Sequence, residues 1–340
     1  MKIVIDGFGG DHAPLEPLKG AAAAVAELGV EMIVVGDSEK LKKCAEENNI
    51  SLEKITLCHA DTVIPVDEEP TKILKGYSDC SMAVGLKLVA DGEADAFVSA
   101  GSTGALLAGG TFIVKRSKGI KRPVIATLVP TKGEKRFYLL VDSGANSDCR
   151  PEMLTQFTIM GTVYHKNIMG SENPEVGLVN IGTEEHKGCE LQQQSYQLLK
   201  NVKGINFIGN IEARELPCGG CDVAVCDGFT GNIVLKLSEG FAAFFSDALK
   251  KVFFANIITK IGAMLVMKQV KEFKKSMDYK EYGGAPILGV AKPVIKAHGS
   301  SDAKAFKNAI RQAKNCVELD VCGKIAEGVA ALKSEEKENA

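Results

Sequence analysis

The sequence has no strong excess of charge of either sign, no secretory signal and no apolar run long enough to cross a bilayer. Its 340 residues carry 41 basic and 43 acidic side chains, a formal net charge of −2, which argues against wholesale nucleic-acid binding. Only three consecutive apolar residues precede Asp6 near the start, which is too short for the apolar region of a signal peptide. We therefore expect a cytoplasmic protein with no nucleic-acid partner.

Several catalytic signatures are also missing. No G-x-x-x-x-G-K-[ST] segment occurs, which excludes a P-loop nucleotide hydrolase, and no G-x-S-x-G segment supports a serine nucleophile. Cys218 and Cys221 form a C-x-x-C pair without the second ligand pair that a zinc site needs. We therefore expect no metal and no cofactor.

A nicotinamide-dependent oxidoreductase remains an alternative. The segment Asp6-Gly-Phe-Gly-Gly-Asp11 contains one G-x-G. It lacks the third glycine of the dinucleotide fingerprint, and its two carboxylates would repel a pyrophosphate. Asp37 nevertheless closes the second predicted strand, where such enzymes place the acid that binds ribose.

Short runs rich in Val and Ile alternate with helical stretches along the chain, which predicts a three-layer α/β fold with a mostly parallel sheet. No repeat or linker divides it, so we expect one domain over residues 1–333 and a polar tail over 334–340. The predicted strands are residues 2–6, 32–35, 55–58, 96–99, 124–128, 137–141, 176–180, 206–209, 223–226 and 293–297.

Three glycine-rich loops follow predicted strands and precede helices. Glycine lets the backbone approach a ligand, and a following helix presents free N–H groups, so such loops suit phosphate. In a parallel sheet the loops should meet at one edge; the other reading is that they serve only as turns and helix caps. The candidate anion-binding residues are Ser99, Gly101, Ser102, Thr103 and Gly104; Asp142, Gly144 and Asn146; and Asp227, Gly228, Thr230, Gly231 and Asn232.

The segment 237–277 departs from the strand–helix alternation. It has apolar residues at helical spacing, and between Lys250 and Lys275 it holds seven lysines against the single acid Glu272. The lysines favour an anionic partner, such as an acidic carrier protein or a membrane surface, whereas a dimer-forming or core helix pair with solvated lysines is the other reading. The candidate membrane or partner residues are Phe253, Phe254, Ile257, Ile258 and Ile261.

Eight segments, in this order and spacing, resemble the bacterial phosphate acyltransferase family, PlsX, over nearly the whole chain. They are Asp6–Asp11, Ser99–Gly104, Val141–Asn146, Asn180–Gly182, Gly209–Glu212, Cys226–Asn232, Tyr282–Pro286 and Ala297–Gly299. The resemblance implies a fold similar to phosphotransacetylases and to isocitrate and isopropylmalate dehydrogenases, a homodimer, and transfer of an acyl group from acyl-acyl carrier protein to inorganic phosphate for phospholipid synthesis. A non-catalytic adaptor that binds the carrier protein is a further alternative.

The same motifs extend the set of candidate site residues. Gly9, Gly10, Asn180, Asn210, Gly283 and Gly284 join the phosphate- and substrate-binding candidates. Asn232 and Lys236 lie four residues apart, so they can share a helix face beside phosphate. His298, Lys187 or a water molecule is expected to protonate the departing thiolate. A peripheral contact with an anionic membrane or with a membrane acyltransferase is also expected.

Overall fold

The computed structural model describes residues 1–132, 137–276 and 283–338. Tyr282, the end of the predicted helical segment at Met277 and the last two residues of the tail lie outside them. The strands are β1 Lys2–Asp6, β2 Glu31–Gly36, β3 Ile55–His59, β4 Ala96–Ser99, β5 Val124–Pro130, β6 Phe137–Val141, β7 Glu175–Asn180, β8 Asn206–Glu212, β9 Val223–Val225, β10 Ala285–Leu288 and β11 Val294–Lys296. The helices are α1 Leu15–Leu28, α2 Ser38–Glu47, α3 Ser81–Ala90, α4 Thr103–Gly109, α5 Pro151–Tyr164, α6 Glu190–Leu199, α7 Gly228–Phe253, α8 Ile257–Ser276, α9 Ala303–Glu318 and α10 Val321–Glu338.

All predicted strands are confirmed, and β10 is an additional strand that the pattern did not predict. The strands form one sheet in the order β3-β2-β1-β4-β11-β10-β5-β6-β9-β7-β8. Most neighbours are parallel, as predicted, but β10 is antiparallel to both β11 and β5, and β5 is antiparallel to β6. The sheet therefore contains two parallel blocks that run in opposite directions.

This reversal puts the carboxyl ends of the two blocks at opposite edges of the sheet. We call the edge at the carboxyl ends of β1, β4 and β11 the upper edge, and the edge at the carboxyl ends of β6, β7 and β9 the lower edge. The expectation that all three glycine-rich loops share one edge is wrong. The loop after Ser99 lies at the upper edge, whereas those after Val141 and Val225 lie at the lower edge.

Both faces of the sheet are buried by helices, which explains the continuous apolar strands. Leu18 of α1, Leu154 of α5 and Phe306 of α9 pack in the core on one face. The opposite face carries two separate clusters, one under α3 and α4 around Phe97 and one under the start of α7 around Leu140. Ile125 of β5 belongs to the first of these clusters and Val129 to the second. Because side chains four residues apart on a strand point to the same side, the two clusters lie on one face of the sheet.

Helix α7 begins directly after Cys226 and Asp227, and α8 follows it after a short turn and contacts it. Asn256 and Thr259 cap α8 reciprocally: Asn256 N–H donates to Thr259 Oγ1 at 3.0 Å, and Thr259 N–H donates to Asn256 Oδ1 at 3.0 Å. The tail predicted at 334–340 continues α10 as far as Glu338. Within the described residues, no helix is both long enough and apolar enough to span a bilayer.

Candidate active-site cleft

A row of polar side chains crosses the ends of three neighbouring strands at the upper edge. Lys296 is paired with Ser99, and Val98 and Ile5 are paired one residue earlier, which places Asp6 beside Ser99. The Asp6 carboxylate accepts hydrogen bonds from the hydroxyls of Ser99, at 2.8 Å, and Ser81, at 2.7 Å. Burial raises the pKa of Asp6, and the hydrogen bonds from Ser81 and Ser99 oppose that rise.

Three loops meet around this row, and they contain most of the upper-edge candidates. Gly9 approaches Asp6 and Gly101 so closely that a Cβ atom would lie 2.7 Å from Asp6 Oδ2. The backbone N–H of Asp11 donates to the carbonyl of Gly299 at 2.8 Å, and Gly10 has a φ of +100°, which favours glycine. The structure therefore brings Gly9, Gly10, Ser99, Gly101, Ser102, Thr103, Gly104 and His298 to one edge.

Within this group, Ser102 and Gly104 have contacts with the chain itself. Ser102 is the N-cap of α4, and its hydroxyl accepts from the N–H of Ala105 at 3.4 Å. Gly104 packs against Pro70, whereas Thr103 at the start of α4 is exposed. Ser102 therefore follows the helix-cap reading that the sequence left open.

His298 is exposed at the same edge. Its Nδ1 accepts the backbone N–H of Ser300 at 3.2 Å and lies 2.9 Å from the Ser300 hydroxyl. This arrangement favours the tautomer that carries the proton on Nε2. In this tautomer Nε2 of His298 is an N–H donor.

Lys296 is the residue of this edge that sequence reasoning missed. Its ammonium group donates to the carbonyl of Ala100 at 3.3 Å and to the carbonyl of Ala297. Burial lowers the pKa of Lys296 to about 8, against the opposing charges of Asp11 and Asp6. A lysine at the last position of an otherwise apolar strand was the signal that could have identified it.

The lower-edge loop 142–146 is built around the Asp142 carboxylate. Asp142 accepts the backbone N–H groups of Gly144 at 3.1 Å, Ala145 at 2.9 Å and Asn146 at 2.8 Å. Burial raises the pKa of Asp142, and these hydrogen bonds act in the opposite direction. Since the loop amides already have an acceptor, Asp142 orients them instead of meeting a phosphate oxygen.

The start of α7 is likewise occupied by the protein. Asp227 is its N-cap and accepts both the backbone N–H and the hydroxyl of Thr230, each at 2.8 Å. The N–H of Gly228 donates to the carbonyl of Asn146 at 2.7 Å. Gly231 packs directly against the Asp142 carbonyl, so its missing side chain permits helix–loop contact. The capping reading therefore accounts for these residues.

Asn180 and Asn210 hold the lower-edge loop that contains Lys187. Asn180 Nδ2 donates to the Lys187 carbonyl at 3.1 Å, and Asn210 Nδ2 donates to the Glu184 carbonyl at 2.8 Å. Their contacts favour a positioning role for both asparagines. The Lys187 side chain is half-buried against Gly182.

Gly283 and Gly284 also have packing reasons to be glycine. Gly283 has a φ of +109° and lies against the Asn308 carbonyl, and the Gly284 N–H donates to Gln312 Oε1 at 2.8 Å. They fit the entry of β10 between α9 and β11.

Asp37, which kept the nicotinamide alternative open, caps α2 and pairs with Lys40 at 2.9 Å, so its carboxylate already has partners.

Helix α7 connects the two edges. Asn232 lies against Gly144 at the lower edge, and Lys236 follows one turn later on the same side of the helix. The positive charge of Lys236 contributes, after burial, to the lowered pKa of Lys296. Lys236 is exposed and pairs with Glu239 at 2.8 Å.

These contacts define what we call the central cleft, between α4 and α7. Its floor is Lys296, Ala285 and Thr127, which are only partly buried although their strands are otherwise buried. At the lower end, the Thr127 and Ser143 hydroxyls lie 2.7 Å apart. Asn232 and Lys236 of α7 border the cleft, which collects cations and neutral donors suited to an anionic substrate.

Comparison with solved structures identifies the fold. It is similar to a crystal structure of a phosphotransacetylase from Streptococcus pyogenes, with a TM-score of 0.59 and 18% identity over 97% of this chain and 94% of that chain. It is also similar to a 4-hydroxythreonine-4-phosphate dehydrogenase from Klebsiella pneumoniae, with a TM-score of 0.50 and 14% identity over 93% and 99% of the two chains. These likenesses confirm the predicted fold class.

The sequence comparisons then give the family. A family model described as fatty acid synthesis protein matches residues 1–324. A phosphate acyltransferase from Alkaliphilus oremlandii is 47% identical over 338 residues, which cover 99% of this chain and 100% of that protein. The chain therefore belongs to the fatty acid synthesis protein family, whose members include the bacterial phosphate acyltransferases, and the resemblance seen in its motifs is confirmed.

Proposed function

We propose that the protein transfers a fatty acyl group from acyl-acyl carrier protein to inorganic phosphate, giving acyl phosphate for phospholipid synthesis. The observation that supports this best is the floor of the central cleft, where the carbonyls of Ala100 and Ala297 hold the Lys296 ammonium group and the Thr127 and Ser143 hydroxyls lie 2.7 Å apart. The charge of Lys236 also acts on Lys296. Two cations near each other repel, and an anion between them relieves the repulsion. Membership of the acyltransferase family supports the same reaction.

The proposed reaction needs positioning more than proton abstraction. Near neutral pH, phosphate is already an anion with a nucleophilic oxygen. Its attack on the thioester carbonyl forms a C–O bond, and collapse of the tetrahedral intermediate breaks the C–S bond. The sulfur keeps the electron pair and takes a proton from His298, Lys187 or water. In this proposal Asn232 donates to the intermediate's oxyanion, and the cleft contributes orientation and electrostatic stabilisation.

The proposed partners include a second copy of the chain and a membrane surface. One face of α7 carries exposed apolar side chains: Ile233, Leu237, Phe241 and Phe244 are 51%, 69%, 65% and 66% exposed. Their spacing makes a stripe suited to another helix.

At the turn between α7 and α8, Phe254, Ile257, Ile258 and Ile261 are 56%, 76%, 81% and 52% exposed, whereas Phe253 is half-buried. We propose dimerisation through the stripe and peripheral membrane contact through the turn, on the cytoplasmic side.

Trapping with hydroxylamine tests the reaction. Acyl hydroxamate should form only when the carrier thioester and phosphate are both present. Asn232→Ala should lower turnover by about 100-fold, the size of effect seen when an oxyanion donor is removed. His298→Ala should lower it less if water can protonate the thiolate. Asn201→Ala, an exposed asparagine at the end of α6, is the matched control and should leave turnover unchanged.

Other outcomes contradict the proposal. Carrier binding without hydroxamate would favour an adaptor, and substrate-dependent absorbance of reduced nicotinamide would favour an oxidoreductase. Unchanged turnover in both the Asn232→Ala and His298→Ala variants, with the fold checked by circular dichroism, would remove both residues from the mechanism.

A further inference from the structure

Lys296 is an unusual lysine in this fold. It ends β11 on the face covered by α3 and α4, directly after Val294 and Ile295, which are both 0% exposed. Lysine side chains are seldom buried unless a partner compensates the charge. Among the described residues, no carboxylate lies within ion-pair distance of Lys296. The nearest buried acid, Asp6, has its carboxylate bonded to Ser81, Ser99 and the N–H of Phe8.

The hydrogen bonds of Lys296 leave one donor unused. A lysine ammonium group has three N–H donors. Two of them meet the carbonyls of Ala100 and Ala297, which fix the head of the side chain between the upper-edge loops. Within the part of the chain that the structure describes, the third donor has no acceptor. A fixed cation with a spare donor is a suitable partner for an oxyanion.

The floor beside Lys296 leaves room for such an anion. Ala285 pairs with Lys296, and continuing the β10–β5 register by two residues from Ile287 and Ile125 puts Thr127 beside Ala285. Neighbouring strands are about 4.8 Å apart, so Lys296 and Thr127 stand roughly 10 Å apart with one methyl group between them. The Thr127 hydroxyl, already paired with Ser143, supplies a neutral group on the far side.

A second cation approaches from α7. The positive charge of Lys236 contributes, after burial, to the lowered pKa of Lys296. A multiply charged anion between two such ammonium groups would be attracted by both of them. In the structure, Lys236 is paired with Glu239 at 2.8 Å, so its position does not depend on Lys296.

We propose that Lys296 binds the phosphate substrate on the floor of the central cleft, between its own ammonium group, Lys236 and the Thr127 hydroxyl. This role rests on the proposed acyl transfer to phosphate. A phosphate group could come from inorganic phosphate or from the phosphodiester of a carrier's prosthetic arm. The short span between Lys296 and Thr127, with only the Ala285 methyl group between them, favours the compact inorganic ion.

Steady-state kinetics of Lys296→Met and Lys296→Arg test this assignment. The KM for inorganic phosphate should rise at least tenfold in Lys296→Met, since an ionic contact is lost, and the KM for the acyl donor should stay within twofold. Lys296→Arg should recover part of the phosphate affinity because it keeps the charge. The matched control is Lys292→Met, which removes an exposed lysine just before β11 and should leave both constants unchanged.

Binding of inorganic phosphate alone provides a second measurement. Phosphate should raise the thermal midpoint of the wild type and of Lys292→Met in a concentration-dependent way, but not that of Lys296→Met. An equal phosphate KM in Lys296→Met and the wild type would overturn the assignment. A changed KM for the acyl donor alone would also overturn it, since the phosphodiester would then be the ligand.

Two further outcomes keep the tests separable. A wild type that makes no acyl phosphate, but whose phosphate-induced stabilisation requires Lys296, would refute the proposed function and retain the anion site. If Lys296→Met does not fold, as judged by circular dichroism, Lys236→Met takes its place, because that side chain is exposed. An unchanged phosphate KM and an unchanged midpoint shift in Lys236→Met would then overturn the two-lysine site.

Discussion

At the scale of single residues, the protonation of Lys296 links burial to activity. Burial and, to a smaller extent, the charge of Lys236 lower the pKa of this lysine to about 8, although Asp11 and Asp6 act to raise it. The charged form therefore predominates near neutral pH and is lost as pH rises through about 8. A site that needs the ammonium group should lose its phosphate affinity over that interval.

We expect kcat/KM for phosphate to fall above about pH 8 in the wild type, because this ratio reports ionisations of the free enzyme. In Lys296→Arg the fall should disappear, since arginine keeps its charge throughout this range. Profiles measured at constant ionic strength, with the acyl donor saturating, provide the comparison. A fall of the same size in Lys296→Arg would assign the ionisation to another group.

The sequence predicted which loops carry polar side chains, but it did not predict which of these side chains already bond to the chain itself. Asp227 and Thr230 were expected near phosphate; Asp227 caps α7, and the Thr230 hydroxyl donates to its carboxylate. Asn180 was expected to bind substrate, and it holds the Lys187 loop. Helix caps and anion sites use the same side chains, so sequence alone does not reveal whether a donor is already consumed. Lys296 was missed because its strand reads as an apolar core strand.

At the scale of elements, the sequence predicted the strands and the fold class but not the direction of each block. The four residues of β10 contain Pro286 and follow two glycines, a weak strand signal. Yet β10 and β5 reverse the sheet and send two of the three glycine-rich loops to the lower edge. Helix α7 links the two edges of the sheet, since it begins at the lower edge and the charge of its Lys236 acts on Lys296 at the upper edge.

The position of α7 depends on one close contact, which Gly231→Ala should break. A Cβ atom there would collide with the Asp142 carbonyl oxygen and lie 3.0 Å from the Cys226 sulfur. We expect the free energy of unfolding to fall by about 1–3 kcal/mol, as for other overpacked sites. Turnover should also fall, because Asn232 and Lys236 would shift with the helix.

Gly262→Ala, in helix α8, is the control for Gly231→Ala, since it lies outside the apolar stripe of α7. No heavy atom lies within 4 Å of a Cβ atom built at Gly262. Alanine should therefore raise the free energy of unfolding by roughly 0.5–1 kcal/mol through its higher helix propensity. Urea titration with activity measured in parallel would compare the two variants. Equal stability of both would show that α7 does not need the close contact with loop 142–146.

At the scale of the whole molecule, the helix pair separates two apolar surfaces. The stripe Ile233, Leu237, Phe241 and Phe244 lies along α7, whereas Phe254, Ile257 and Ile258 lie at the turn into α8. One surface alone could serve either a second copy of the chain or a lipid surface. Their separation along the pair by more than two helical turns permits both uses at once, because a dimer joined along α7 leaves the turn exposed.

Aspartate substitutions at the two surfaces should therefore have different effects. Phe244→Asp, which buries a charge in the proposed interface, should convert the dimer to a monomer in light scattering. Ile258→Asp should leave the dimer intact and abolish flotation with vesicles that contain phosphatidylglycerol, since both apolar insertion and attraction by nearby Lys250, Lys251 and Lys260 act at the turn. Phe112→Asp, at a phenylalanine 58% exposed outside the pair, should change neither property. Loss of the dimer in Ile258→Asp, or a dimeric Phe244→Asp, would contradict this division of the two surfaces.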